Sequence, residues 1–138
     1  MGANPGCRVK KLWACREIDA PAEVLWNLLV DLERWPEWGP SVQRAVLQTD
    51  KFESGATGTV TTAVGIDLNF EITEHRDGTS WAWKVAGIPA THHRVEPLGP
   101  DRCRVGFGVP WVVAPYLAVC EIALRRLEVM AANAKVGQ

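Results

Sequence analysis

The sequence predicts an α+β fold in which an antiparallel sheet is closed by one long C-terminal helix. Three observations carry this reading. Residues 66–74 (IDLNFEITE) alternate apolar and polar side chains, with Ile66, Leu68, Phe70 and Ile72 on one face, the period of a half-buried strand. Short segments of the same kind, separated by Gly, Pro and Asp-Gly turn signals, fill residues 42–109. In and around residues 114–134, Val113, Tyr116, Cys120, Ala123, Leu124, Leu127, Met130, Ala131 and Ala134 recur at steps of three and four, which makes one apolar helix face. A helix of about 20 residues is about 30 Å long, enough to span a small domain. Apolar strand faces need cover, and this helix is the element long enough to supply it.

In chain order, residues 7–19 (CRVKKLWACREID) read as a first strand, with Leu12, Ala14 and Ile18 on one side and Val9, Trp13 and Cys15 on the other. Pro21 opens a helix with Glu23 in its first turn and an apolar stripe of Val24, Leu25, Leu28 and Leu29. Asp31 caps a second short helix that Pro36 ends, and Gly39-Pro40 completes the break. No basic recognition helix follows, so the pair is not a DNA reader. Strands are expected at 42–48, 58–64, 66–74, 80–86, 90–96 and 102–109, the last with Cys103, Val105, Phe107 and Val109 on one face. Asp77-Gly78 is a hairpin turn. Pro115 suits the first turn of the closing helix, and Glu121 with Arg125 forms an i,i+4 pair on its polar side.

The 138 residues fit one domain, 1–138, with 1–6 as a flexible tail. A net charge of −1 without a Lys/Arg run gives no footprint for a nucleic-acid partner. No stretch approaches the 18 apolar residues of a membrane span, and the N-terminus has no apolar signal-peptide core. Cys7, Cys15, Cys103 and Cys120 lack metal-type spacing and read as reduced thiols of a cytoplasmic protein; a Cys15–Cys103 bridge is the lesser alternative. Seven Trp against three Phe and one Tyr is unusual, since indoles either fill a core or line a hollow one.

Two stretches carry a family resemblance. They are Ile18-Asp19-Ala20-Pro21-Ala22-Glu23-Val24-Leu25-Trp26 and the run from Asp31 to Trp35-Pro36-Glu37-Trp38, supported by Phe70–Glu74, Ser80–Val85 and Val95-Glu96-Pro97-Leu98-Gly99. With them the chain resembles the START-like, or SRPBCC, superfamily, including its polyketide cyclase/dehydrase-like members. The resemblance covers nearly the whole chain. It implies a helix-grip fold: a seven-stranded sheet curled around the C-terminal helix, two short helices between strands 1 and 2, and a hydrophobic cavity between sheet and helix. It also implies a lipid, polyketide or aromatic-type ligand, and only some members are enzymes.

Three functional readings follow. The first is binding of one hydrophobic or amphipathic molecule in that cavity, with Trp81, Trp83, Phe70, Phe107, Cys120, Leu124 and Trp38 as lining and with His93 and Tyr116 as polar guides. The indoles read equally as core filler, and the Tyr116 hydroxyl could instead bond to a nearby strand. The second is a cyclase/dehydratase-type enzyme with His93 as its acid/base residue, since His93 shares a strand face with Thr91 and Val95. The alternative for His93 is a hydrogen-bonded core histidine, with His92 turned to solvent. The third is a protein-interaction domain with a filled core. Ile122 and Val129 lie off the main apolar face, which leaves room for a homodimer contact. No metal-ligand cluster and no nucleotide or cofactor motif is present in the sequence.

Overall fold

The computed structural model describes residues 11–136. The strand start expected at Cys7 and the tail 1–6 lie outside the described residues. The strands are β1 (Lys11–Ile18), β2 (Val42–Leu47), β3 (Thr57–Thr62), β4 (Asp67–Arg76), β5 (Ser80–Val85), β6 (Ile88–Gly99) and β7 (Arg102–Pro110). They form one antiparallel sheet in the order β1-β7-β6-β5-β4-β3-β2. The helices are α1 (Ala22–Val30), α2 (Trp35–Trp38) and the long α3 (Leu117–Val136).

One face of the sheet is apolar and carries all three helices. It presents Ala14 and Ile18 from β1, Phe70 and Ile72 from β4, Trp81 from β5, Val95 from β6, and Cys103, Val105, Phe107 and Val109 from β7, all buried. α3 meets this face with Cys120, Ala123, Leu124, Leu127 and Ala131, all buried, as its periodicity predicts. Arg16 reaches from β1 to Glu128 of α3 at 2.8 Å. Cys15, Cys103 and Cys120 are free. Cys15 pairs with Gly106 on the other face of the sheet, while Cys103 lies in the core, so the two thiols point apart and cannot bridge.

The helix pair is held by its tryptophans. Leu25, Trp26 and Leu29 bury one side of α1. Its last carbonyls have no partner within the helix; the Trp35 indole N–H donates to Leu29 O at 2.9 Å, and that of Trp38 to Leu28 O at 3.0 Å. Asp31 caps not an α-helix but a 3-10 turn, Leu32–Arg34, by accepting from Glu33 N. Pro36 does not end this element: it occupies the first turn of α2, where its missing N–H costs nothing.

Several other expectations are corrected. The 3-10 segment Trp111–Tyr116, with a kink at Val113 (φ −116°, ψ 36°), replaces the first turn of the closing helix, so Pro115 and Tyr116 precede α3. Ile66 lies in the turn before β4 and is exposed, as is Ala134 at the far end of α3. The turn expected at Gly87 and Pro89 is tighter: Ala86 (φ 53°) and Gly87 (φ 78°) make a two-residue hairpin bend, and Pro89 already belongs to β6.

The outer face of the sheet has its own device. Trp13 lies across β7 at Gly108 and Gly106, where any Cβ would meet its ring, and the Arg94 guanidinium lies over that ring at 4.2 Å. His92 is not turned to solvent. It is half-buried beside Trp13, accepts from Lys11 Nζ at 2.9 Å, and lies 3.2 Å from Glu74.

Candidate ligand-binding cleft

The space between α3 and the centre of the sheet is filled. Trp35 stacks on Trp81 with ring centroids 5.2 Å apart and planes 6° apart, and Trp81 stacks on His93 at 3.7 Å. Phe107 stands edge-on to His93 at 5.0 Å, and Trp38 packs against both. A residual chamber of about 40 Å³ remains among Trp38, Trp81, His93, Phe107 and Cys120, room for about one water. This corrects the expectation of a hollow beneath the long helix. Phe70 and Leu124, expected in a cavity wall, line neither this chamber nor the cleft below and are fully enclosed in the core.

His93 is held by a hydrogen-bond chain with one direction. The Trp83 indole N–H donates to Thr91 Oγ1 at 2.9 Å, and Thr91 Oγ1 lies 3.1 Å from His93 Nε2. His93 Nδ1 lies 3.2 Å from Trp81 O. A carbonyl only accepts, so Nδ1 carries the proton and Nε2 accepts from the Thr91 hydroxyl. Burial pushes the His93 pKa down to about 3. Its ring is neutral, both nitrogens are engaged, and little basicity remains for general acid–base work near neutral pH. His93 thus stands in the structure as a hydrogen-bonded core histidine. Cys120 is no better placed, because burial pushes its thiol up to about 12.

The larger space lies to one side, over the ends of β3 to β6 and under the 3-10 segment. This cleft has a volume of about 440 Å³. Its walls are Val60, Leu68, Val85, Val109 and Val113 with the face of Trp83, and it opens to solvent past Val64 and Val113, which are 80% and 45% exposed. Ser41, Val42, Trp83, Thr91 and Tyr116 line both this cleft and the inner chamber. Tyr116 is not on the inward face of the long helix but on the boundary between the two spaces, its hydroxyl 2.6 Å from Ser41 Oγ. Tyr116 is partly exposed, and desolvation raises its pKa against the lowering effect of the Ser41 hydrogen bond.

A family model for polyketide cyclase / dehydrase and lipid transport proteins matches residues 11–135. The chain belongs to that family. Solved structures agree on the fold. XoxI from Bacillus cereus superposes with a TM-score of 0.71 at 13% identity, covering 91% of this chain and 97% of that one. A START superfamily protein from Mycobacterium smegmatis gives 0.69 at 16% identity, covering 90% and 98%. The di-domain ARO/CYC BexL gives 0.67 at 13% identity, covering 86% of this chain and 45% of that one. No curated protein matches the chain in sequence. This START-like fold thus carries its cleft at the end of the sheet. Among the described residues no group of His, Cys, Asp and Glu is arranged to hold a metal ion, and no helix is long and apolar enough to cross a membrane.

Of the residues singled out from sequence, the structure brings Trp38, Trp81, His93, Phe107 and Cys120 to the inner chamber and Trp83 and Tyr116 to both spaces. Sequence reasoning missed Ser41, Val42, Val60, Leu68, Val85 and Val113. Leu68 and Val113 lie on apolar faces in the sequence reading. For Val113 a further signal is its place between Pro110 and Pro115, which break the run into the helix.

Proposed function

We propose that this polyketide cyclase/dehydrase-family protein binds one hydrophobic or amphipathic small molecule, of lipid, polyketide or aromatic type, in the cleft beside Trp83. The observation that carries this is a preformed apolar space of about 440 Å³, within the range of small-molecule sites. A ligand there gains about 25 cal/mol for each Å² of apolar surface taken from water. The carrier reading is favoured over the cyclase reading suggested by the likeness to BexL. Tyr116 is the one titratable side chain lining the cleft, and burial moves its pKa upward, away from neutrality. The net charge of −1 supports a small-molecule partner over nucleic acid, and the free thiols fit the cytoplasmic placement proposed with it.

Titration with the neutral dye N-phenyl-1-naphthylamine tests the reading. Saturable binding is expected, with a blue shift of the dye and quenching of Trp83. Val85→Trp, which fills the cleft from β5, should weaken binding at least tenfold. A folded protein that shows no saturable dye binding overturns the proposal.

A further inference from the structure

We propose that the Ser41–Tyr116 hydroxyl pair selects an uncharged ligand that carries a hydroxyl or carbonyl oxygen, a refinement that rests on the cleft being a binding site. None of the 16 residues that line the cleft is charged. An ionised carboxylate or phosphate drawn inside would lose its water and find no cation. Selection against charge is therefore built into the wall.

The polar groups present are few, and most are engaged. The Trp83 N–H and the Thr91 hydroxyl are committed to the chain that ends on His93. Thr62 accepts the Ile66 N–H in the turn before β4 and keeps one O–H of its own, a single hydroxyl held at the turn. Ser41 and Tyr116 instead place two hydroxyls together. Whichever hydroxyl donates across their 2.6 Å contact, the other keeps its own O–H proton, so the pair always offers one donor besides its lone pairs. A hydroxyl oxygen, which accepts and donates, matches that offer on both counts; a carbonyl oxygen matches the donor. The two residues come from the loop between α2 and β2 and from the 3-10 segment, and both line the cleft and the inner chamber. A ligand oxygen bound to them stands where cleft and chamber meet, with its apolar body left to the Val60, Leu68 and Val85 walls.

The test displaces bound N-phenyl-1-naphthylamine with decan-1-ol, decanamide, decanoate and 1-chlorodecane at a single neutral pH and below micellar concentrations. Decan-1-ol and decanamide should compete at concentrations at least tenfold lower than decanoate. In the Ser41→Ala/Tyr116→Phe double variant, shown to be folded by its urea midpoint, the affinity ratio of decan-1-ol to 1-chlorodecane should fall about fivefold. Decanoate competing as well as decanamide overturns the selection against charge. An unchanged ratio in the double variant overturns the role of the hydroxyl pair. Absence of dye binding to the folded wild-type protein fails the cleft itself, and this inference with it, and is distinguishable because no competition can then be recorded.

Discussion

Lowering the pH from 7 to 5 should cost the fold about 4 kcal/mol, because it holds two histidines neutral. Burial lowers His93 to about 3. His92 is lowered to about 4, first by burial and then by the Lys11 charge, with Glu74 opposing and Arg94 and Arg76 adding to the effect. Both folded-state values lie below the ordinary value near 6.5. The unfolded chain therefore takes up protons first as pH falls, and stability is lost from about pH 6.5 downward. Between pH 7 and 5 an unfolded histidine becomes almost fully charged while these two stay neutral, a linkage loss of about 2 kcal/mol each. Glu17, held low by Arg102 and Arg104, loses its contribution only at more acid pH. Urea unfolding followed by Trp fluorescence measures the loss. With a slope of about 2 kcal/mol per M, the midpoint should drop by about 2 M. His93→Phe should be less stable at pH 7 yet lose only about half as much on acidification. A wild-type midpoint that moves by less than about 0.5 M, or a His93→Phe variant with the full loss, refutes the account of these neutral rings.

Two further perturbations read the packing. A Cβ at Gly58 would strike the Val46 carbonyl oxygen and come within 2.5 Å of the Phe70 ring, whereas one at Gly108 meets only the Trp13 side chain at 2.8 Å. Gly58→Ala should therefore cost about 2–3 kcal/mol and Gly108→Ala about 1 kcal/mol, as compared by urea midpoints, because a backbone oxygen cannot step aside and an indole can. Trp35→Phe keeps most of the stack on Trp81 but strips the Leu29 carbonyl of its donor. It should cost about 1–3 kcal/mol in the same assay, and a neutral result would show that this carbonyl finds another partner.

What was legible in the sequence was what depends on local period. β4 showed itself because Leu68, Phe70 and Ile72 alternate with polar residues, and β7 because Cys103 to Val109 do the same. The lower half of α3, from Cys120 to Ala131, obeys its helical stripe. The upper end was misread because WVVAPY continues that stripe in composition; the kink at Val113 leaves no trace in periodicity. The site was less legible, for a tertiary reason. Whether Trp81 lines a cavity or plugs it is decided by Trp35, 46 positions earlier, which stacks on it from above. Facing and filling look alike along a single strand. His93 shares its strand face with Thr91 and Val95, as the alternation gives, but its neutrality comes from burial among the rings around it, which only the assembled sheet supplies.

The one-way relay from the Trp83 indole through Thr91 to His93 links the cleft wall to the middle of the protein. A guest seated against the Trp83 ring shifts the indole that heads this relay, and the imidazole, two links from the indole, registers the change in its ring nitrogen shifts. Occupancy of an outer site is thereby legible from a nucleus buried in the core.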